Sequence, residues 1–404
     1  MKNLLRNFII LSSFFCFLAA NGQTTSWQNL IVDPSSKFGE VQESFNSEWK
    51  DKSYVKGKGW KQFRRWENFW EHRLLPNGDF PDFSKGFDAF NLFQTEFQSV
   101  QQSQNIWEPL GPMNYQYTQS WSPGQGRVNC IIEDPSNFQI IYIGAPSGGV
   151  WKTIDGGDNW SPISDDLSVI GISHIAINPE NTDELYIATG DADGGDTYSI
   201  GIWKSFDAGL NWQQTSFPEA QCNRIVVDPN STNIIWAASS YGLYKSVDSG
   251  LSWNLIYGGN IKDFQLCPND PNKVYFCSNS EMFFSHDGGE SVSNSIGLSG
   301  DITRICITTT LANPSLVYIV TSGLGWGYNG VYKSSDYGQQ FILQNNTTDI
   351  FDESEQAYYD MAITASDSDE NFLVAGVLNL WKSFDGGVNW VAVNSWSNPE
   401  QQAY

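Results

Sequence analysis

Positive charge is scarce in this sequence. Its 22 lysines and arginines are outnumbered by 45 aspartates and glutamates, which gives a formal net charge of −23 at pH 7. A chain with so large a negative excess is repelled by the phosphates of nucleic acids and by anionic lipid surfaces. We therefore predict no nucleic-acid partner.

Cysteines are also few. The sequence has six, and Cys16 lies in an N-terminal segment with the features of a signal peptide. The other five are odd in number and show no close pairing pattern, which argues against a disulfide-stapled fold or a zinc ribbon. Most lie in or beside apolar runs, so we expect them to pack as small buried side chains. They are Cys130, Cys222, Cys267, Cys277 and Cys306.

Long apolar runs are missing everywhere except at the start of the chain. Residues 1–22 begin with Lys2 and Arg6 and continue with an apolar run at 8–20, which is too short to span a bilayer. Ala20 and Gly22 supply small residues for cleavage before residue 23. We therefore predict a signal peptide and a protein that is secreted or lies at the cell surface, without membrane insertion.

Residues 23–104 form a separate helical leader or linker in this prediction. Their aromatic residues recur at near-helical spacing, which predicts one amphipathic helix in an otherwise loosely ordered segment. These residues are Trp60, Phe63, Trp66, Phe69 and Trp70. The turn residues at 76–79 end the helix. Two interpretations stay open: the helix packs on the main domain, or it serves as a propeptide or partner-binding helix.

From residue 107 onward, one nine-residue motif occurs six times. Each copy has Ser or Thr two residues before an Asp and Gly two residues after that Asp. Most copies also have Trp five residues after the Asp. The aspartates are 39 to 52 residues apart, which leaves room for one small sheet per copy. They are Asp155, Asp207, Asp248, Asp287, Asp336 and Asp385.

The chemistry of this motif is that of a hairpin turn. The hydroxyl can hydrogen-bond locally, the Asp can accept from N–H groups of the turn, and the Gly tolerates positive φ. We therefore assign the six aspartates a structural role. The aromatic residue covers the turn, so the turns in which Val292 and Phe341 replace Trp are expected to be less well buried.

Each motif is preceded by an apolar strand, a polar turn and a second apolar strand, as at 225–227 and 234–238. A repeat thus supplies four strands, A to D, and its sheet must stack on neighbours to bury both faces. The predicted fold class is all-β, a β-propeller over residues 105–404 with six blades present. The blades are placed at roughly 127–163, 172–215, 223–257, 262–295, 302–345 and 358–396.

The segment 106–110 matches the phase of a D strand, but no A, B and C strands precede it. The last blade already has a D strand at 389–393. We therefore predict that residues 1–404 are a fragment of a longer protein with at least one more blade. Residues 106–110 are expected to lie beside an open gap between blades one and six.

The repeats at roughly 107–396 resemble the Asp-box (BNR) families, which include sialidases, xyloglucanase-type glycoside hydrolases, plant photosystem assembly propellers and the sortilin receptors. This resemblance implies a propeller fold. Because enzymes and binding proteins share the turn, it implies two functions. The first is a sortilin-like binding or adhesion module for polysaccharide or peptide, and the alternative is a xyloglucanase-like glycoside hydrolase on a β-linked polysaccharide.

The stretch Tyr142 to Trp151 is similar to the xyloglucanase segment that carries the catalytic base aspartate four residues after the tyrosine. Pro146 stands at that place here. In blade two, Asp191 lies one residue beyond the matching place, so it is the candidate for a displaced base. Inverting hydrolysis needs two carboxyl groups that flank the bond, and the sequence identifies neither.

Ligand contacts are expected on the propeller face that carries the B–C and D–A loops, because long irregular loops commonly hold function. Three loops there, at 112–126, 190–199 and 323–330, carry aromatic residues, and the second also carries aspartates. Their rings either contact a sugar chain or peptide or belong to the core. The loop at 190–199 is expected to lie away from the packed strands. It also offers oxygen ligands for calcium, but without a full calcium loop, and we predict no cofactor. The candidates are Tyr115, Tyr117, Trp121, Asp191, Asp193, Asp196, Tyr198, Trp326 and Tyr328.

A second set of candidates comes from aligning the A strands at the residue that precedes each apolar run. Residues so aligned should line the central channel, either as a polar ligand pocket or as ion pairs between adjacent blades. In blades two to six they are His174, Arg224, Asp263, Arg304 and Asp360.

Overall fold

The computed structural model describes residues 26–31, 35–54, 58–81, 92, 126–195, 197–218 and 220–395. The chain divides into two compact units, a helical one from residues up to 54 together with 62–81, and a larger one that contains all the strands. Among the described residues, no helix is both long and apolar enough to cross a membrane.

The helical unit contains α1 (Trp27–Ile31), α2 (Phe38–Trp49) and α3 (Trp60–Glu71). The expectation of one helix was wrong. The helices α1 and α2 also bury aromatic side chains, and these complete an aromatic core with α3. The rings of Phe45 and Phe63 stack with centroids 3.6 Å apart, and Trp27 packs edge-on against both. After α3 the chain turns at 75–79, where Gly78 has a φ of 82° and donates its N–H to the Leu75 carbonyl.

The larger unit consists of six four-stranded antiparallel sheets, each with its strands in chain order. The prediction of a β-propeller with six such blades is confirmed. The strands of blades one to three are β1 Cys130–Asp134, β2 Asn137–Ala145, β3 Gly149–Thr153, β4 Ser161–Pro162, β5 Ile172–Ile177, β6 Leu185–Thr189, β7 Ile202–Ser205, β8 Gln213–Gln214, β9 Cys222–Val227, β10 Ile235–Ser239, β11 Gly242–Ser246 and β12 Asn254–Gly258.

Blades four to six follow the same order, with one short helix, α4 (Ala357–Asp360), before the last inner strand. Their strands are β13 Asp263–Cys267, β14 Asp270–Cys277, β15 Met282–Ser285, β16 Ser293–Asn294, β17 Arg304–Thr309, β18 Val317–Ser322, β19 Tyr328–Ser334, β20 Ile342–Asn345, β21 Ala362–Ala365, β22 Leu373–Gly376, β23 Leu380–Ser383 and β24 Val391–Ala392.

The hydrophobic core lies between adjacent blades. Ile225 of β9, for example, is buried together with Tyr186 and Ile202 of the preceding blade, and Phe264 of β13 is buried together with Trp236. Most inner strands are therefore covered on both faces.

The six predicted motif aspartates lie in the turns between the third and fourth strands, which we call the aspartate turns. In blade two, the Ser205 hydroxyl donates to Asp207 Oδ1 at 2.8 Å and accepts the N–H of Gly209. Asp207 Oδ1 also accepts the N–H of Asn211 at 2.8 Å. The same hydroxyl-to-Asp bond occurs in the other five blades. Hydrogen bonds to the carboxylates lower the pKa of Asp155 and Asp287 to about 2.

The residue after each of these aspartates joins two turns of its blade. Ala208 donates its N–H to the carbonyl of Asp183 in the turn between the first two strands, at 2.8 Å. This bond puts the A–B and C–D turns at one end of the blade, as predicted. The joining residue has positive φ, and it is not glycine in three blades: Ala208 (56°), Ser249 (59°) and Tyr337 (61°).

The turn of blade five is well covered, which corrects the expectation for Phe341. This ring is only 1% exposed. The connection that follows blade four crosses to blade five, where Ile296 accepts the N–H of Phe341 and donates to the Gln339 carbonyl. This additional backbone pairing compensates for the loss of Trp.

The cysteines are buried or half-buried and all five are free. Burial raises the pKa of Cys130 and Cys306 to about 12. A thiol with such a pKa is inert at neutral pH, in agreement with the structural role expected from the sequence.

The faces of blades one and six that point away from blades two and five are less well covered. Ile131 in blade one is 67% exposed, whereas its register equivalents Ile175 and Ile225 are at most 1% exposed. Leu380 in blade six is 40% exposed, whereas the equivalent Val150 in blade one is fully buried. The segment 106–110, predicted to lie beside this seam, is outside the described residues.

Candidate functional site at the channel mouth

The loop between β6 and β7 reaches three other blades at the inner ends of their first strands. We call residues 190–195 the acidic loop. Asp191 forms an ion pair with Arg127 in front of β1, and Asp193 Oδ1 lies 2.6 Å from Arg304 Nη2 in blade five. The Ala192 carbonyl accepts a hydrogen bond from Lys262 in blade four at 3.4 Å. The acidic loop therefore connects blades one, two, four and five at the channel mouth.

Two glycines bound this loop. Gly190 has a φ of 110° and Gly195 a φ of 66°, conformations that favour glycine. Between them the chain turns tightly, with the Gly195 N–H donated to the Asp191 carbonyl at 3.3 Å. The turn presents the Asp191 and Asp193 carboxylates to different arginines.

The expectation that this loop lies away from the packed strands was wrong. Asp191 is 1% exposed, because the carboxylate points inward to Arg127. A buried carboxylate requires a cationic or hydrogen-bonding partner. That partner is 64 residues away in the sequence and belongs to a different blade.

The carboxylates of Asp191 and Asp193 are each held by a different arginine. In the described part of the chain, no group of three or more His, Cys, Asp or Glu side chains is arranged to hold a metal ion. The remaining candidate for a calcium ligand, Asp196, lies outside the described residues.

The candidates aligned on the A strands form an ion pair, one of the two interpretations left open, at the interface between blades three and four. Arg224 Nη1 lies 3.0 Å from Asp263 Oδ1 in the next blade, and Asp263 Oδ2 accepts the N–H of Ile307 at 2.8 Å. Burial raises the pKa of Asp263, and Arg224 opposes that shift. Burial, together with the charge of Arg224, lowers the pKa of His174 to about 3. His174 is therefore neutral at physiological pH.

Two of these five residues occupy a different register from the one predicted. His174, Arg224 and Asp263 are equivalent in the strand pairing. Cys306 and Ala362 hold the corresponding positions in blades five and six. Arg304 and Asp360 thus lie two residues before these positions in the chain, closer to the channel mouth. The apolar runs that follow them begin before the equivalent position of the strand pairing.

Aromatic rings surround the same mouth on the side of blades five, six and one. Trp326 and Tyr358 meet edge to face with centroids 5.9 Å apart, and Tyr358 lies 6.2 Å from Tyr359. The Arg127 guanidinium lies over the Tyr359 ring, 4.3 Å from its centroid. We call Trp326, Tyr358 and Tyr359 the aromatic shelf. Trp326 has a φ of 67°, a strained conformation of the kind that is concentrated at functional sites.

The other aromatic candidates have different positions. Tyr328 donates its hydroxyl to the Asn345 carbonyl and packs on Phe351, so it belongs to the core of blades five and six. Tyr198 packs against the core between blades one and two. Tyr115, Tyr117 and Trp121 lie outside the described residues.

Asp360 places a carboxyl group with a raised pKa beside the aromatic shelf. Burial raises its pKa to about 6, although Arg304 and Arg127 oppose the shift. Its Oδ1 atom is buried and has no hydrogen-bond partner in the part of the chain that the structure describes. Two nitrogens of Arg127, Nε and Nη1, are buried and unpartnered in the same way. Polar groups of this kind are available to a polar ligand.

Sequence analysis missed Arg127, Lys262, Tyr358 and Tyr359. Each stands immediately before an inner strand or within α4, so a search of all A-strand starts for charged and aromatic residues would have found them. Their partners are far apart in sequence, and nothing local indicates the pairing.

The place of the expected catalytic base carries no carboxylate. Pro146 is buried, and its carbonyl accepts a hydrogen bond from the Thr197 hydroxyl. Asp191, the candidate for a displaced base, is engaged by Arg127. Neither position offers an accessible base.

A separate groove lies at the opposite end of blades two and three. Phe206, Thr215 and Leu251 line it, and Lys204 within it is paired with Glu184 at 2.7 Å. With its only cation neutralised, this groove offers exposed apolar surface and few free polar groups.

Similar proteins of known type are xyloglucanases. A xyloglucanase from Paenibacillus sp is 30% identical over 128 residues, which cover 28% of this chain and 12% of that protein. Xyloglucanase Xgh74A of Acetivibrio thermocellus is 23% identical over 339 residues, which cover 68% of this chain and 39% of the enzyme. No family profile matches the chain.

Solved structures show the same likeness. The GH74 enzyme of Niastella koreensis superposes with a TM-score of 0.53 at 21% identity, over 67% of this chain and 45% of the enzyme. This chain is thus a six-bladed propeller that resembles GH74 xyloglucanases, and it spans less than half the length of each of these relatives.

Proposed function

We propose that this propeller binds a polysaccharide at the channel mouth. The observation that carries the proposal is the aromatic shelf, which lies beside the carboxyl group of Asp360 and the guanidinium of Arg127. Aromatic rings cover the apolar faces of sugar rings, and charged groups next to them hydrogen-bond the hydroxyls. The similarity to xyloglucanases favours a sugar chain over a peptide.

Hydrolysis of the bound chain is the second candidate function, and Asp360 is the observation that favours it. A carboxyl group with a pKa of about 6 is half protonated at about pH 6, so a fraction of it can act as a general acid in mildly acidic solution. An inverting hydrolase needs a second, ionised carboxylate opposite the acid. Asp193, whose charge acts on Asp360, is a candidate for this role, although Arg304 engages it.

Two further parts of the proposal concern the cellular location of the protein and its relationship to other propellers. The charged and apolar N-terminal segment supports export as a secreted or cell-surface protein. The hydrogen-bond pattern of the aspartate turns supports their assignment as Asp boxes, and with it a relationship to sortilin-like binding propellers.

Binding is best tested with the purified protein against xyloglucan, mixed-linkage glucan, xylan and mannan by affinity electrophoresis, followed by calorimetry with oligosaccharides of the best ligand. We expect Trp326→Ala to weaken binding by about 10- to 100-fold, because a stacked aromatic anchor contributes about 1.5–3 kcal/mol. Phe206→Ala, which removes an exposed ring from the opposite end, should leave binding unchanged. Absence of binding to every polysaccharide, or equal losses in the two variants, contradicts the proposal.

Hydrolysis is tested on the same ligands by reducing-sugar release. Asp360→Asn should abolish release and preserve binding if Asp360 is the acid. Binding without release in the wild-type protein leaves the binding function and rejects the hydrolase.

A further inference from the structure

We propose that Arg127, Lys262 and Arg304 form a pocket for the carboxylate of an acidic sugar, and that Asp193 occupies this pocket until a uronate-containing polysaccharide displaces it. This inference rests on the proposed polysaccharide binding and names the class of ligand. In the protein without ligand, the Asp193 carboxylate of the acidic loop thus takes the position of the ligand carboxylate.

The contacts of the loop are those that an acidic ligand would make. Asp193 lies 2.6 Å from an arginine nitrogen, and the Ala192 carbonyl accepts from a lysine. Arg304 also donates to the Ala357 carbonyl at 2.9 Å, which fixes the orientation of its guanidinium. A fixed guanidinium binds a carboxylate with geometric specificity.

The charge balance of the mouth changes when the loop is displaced. Arg224 is neutralised by Asp263, whereas Arg127, Lys262 and Arg304 rely on Asp191 and Asp193, with Asp360 nearby. Displacement of Asp193 removes the ion-pair partner of Arg304 and one of the two nearby carboxylates that favour the charged form of Lys262. A chain of net charge −23 would thus expose a local cluster of positive charge, which attracts an anionic ligand.

Bonding capacity is also available next to the loop. Arg127 uses Nη2 for Asp191, while its buried Nε and Nη1 have no hydrogen-bond partner among the described residues. Among the described residues of the loop, the Lys262 ammonium donates to the neutral Ala192 carbonyl, and that contact is long at 3.4 Å. These donors can receive a carboxylate or ring hydroxyls without breaking an existing ion pair.

Asp193 is the exchangeable part of the loop. Its side chain is 28% exposed, whereas the Asp191 side chain is fully buried. A side chain at Gly195 would meet no other atom within 4 Å, so the end of the turn has room to move. Displacement can therefore begin at Asp193 while Asp191 remains bound to Arg127.

The test measures binding of tetragalacturonate, a neutral xyloglucan oligosaccharide and a tetraglutamate peptide by calorimetry. We expect Asp193→Asn to increase affinity for tetragalacturonate about tenfold, since one freed charge-assisted contact corresponds to about 1.4 kcal/mol. Arg304→Gln in the same background should remove the gain. Asp166→Asn, which removes an exposed charge in the connection between β4 and β5, is the matched control and should have no effect.

The outcomes separate this inference from the proposed function. If xyloglucan binds and tetragalacturonate does not, or if Asp193→Asn has the same effect as Asp166→Asn, the carboxylate pocket is wrong and polysaccharide binding stands. If no saccharide binds any variant, both fail. If tetraglutamate gains as much as tetragalacturonate, the ligand class is wrong. Higher salt should weaken binding of the uronate and leave neutral binding unchanged, and thermal melting of each variant confirms that it is folded.

Discussion

Arg127 and Asp191 form an ion pair that joins the entry to the first blade with a loop of the second, and the Asp191 carboxylate is fully buried. Among the described residues, each of these two side chains has the other as its only ion-pair partner. Loss of either side chain therefore leaves a buried charge without a partner.

Asp191→Ala should therefore destabilise the propeller by about 3 kcal/mol, since removing one partner of a buried pair leaves the other charge uncompensated. A loop that lay away from the packed strands, as expected from the sequence, would instead tolerate this substitution. Asp193→Ala should cost less, at most about 1 kcal/mol, because the Asp193 side chain is 28% exposed. Urea unfolding measures both. Equal, small effects for the two variants would show that the Arg127 pair contributes little.

The aspartate turns predict a second stability effect. Asp207→Ala removes an acceptor used by the Ser205 hydroxyl and the Asn211 backbone, which should cost about 1–3 kcal/mol in the free energy of unfolding. Asp158→Ala, at an exposed position of the neighbouring turn, should change it by less than about 0.5 kcal/mol. An Asp207→Ala protein that keeps full stability but loses ligand binding would overturn the structural assignment.

Positive φ at Ala208 predicts an unusual gain from glycine. The left-handed conformation costs a non-glycine residue about 1–2 kcal/mol, partly offset by the greater chain entropy that glycine has when unfolded. Ala208→Gly should therefore raise stability by about 0.5 kcal/mol, and Ala208→Val should lower it. Gly156→Ala, the reverse change at the equivalent position of blade one, should be destabilising. Differential scanning calorimetry can order these variants, and a decrease for Ala208→Gly contradicts the strain argument.

The raised pKa of Asp360 predicts how stability depends on pH. Because its folded pKa of about 6 is above the ordinary value of 3.8 for an aspartate, its contribution is fully present below about pH 4 and is lost as the pH rises through 6. Asp360→Asn lacks this titration. The difference in melting temperature, variant minus wild type, should increase from pH 4 to 6 and level off above 7. A flat difference would place the pKa of Asp360 near its ordinary value.

Features set by neighbouring residues could be predicted from the sequence. The contacts around Asp207 involve residues two to four positions away, so the motif itself specifies the turn and, by its repetition, the blade number. The channel mouth could not be predicted in the same way. Arg127 and Asp191 are 64 positions apart, and Arg304 and Asp193 are 111 apart.

Local patterns also misled at two points. Arg304 stands before an apolar residue, as Arg224 does, yet its run starts two residues earlier in the register, which only strand pairing reveals. The sequence around Asp191 is polar and rich in glycine, typical of an exposed loop, but ion pairing to other blades buries it. In both cases contacts between blades override the local pattern.

The uncovered faces at Ile131 and Leu380 affect how protection from solvent exchange is distributed through the propeller. A blade with two packed neighbours can open only by breaking two interfaces, whereas blades one and six each have one well-covered face. In stacked repeats, stability is close to a sum over nearest neighbours. Amide hydrogens of β9, β10 and β13 should therefore exchange most slowly, and those of β1 and β21 should exchange earliest, through fraying that starts at the seam and advances one blade at a time.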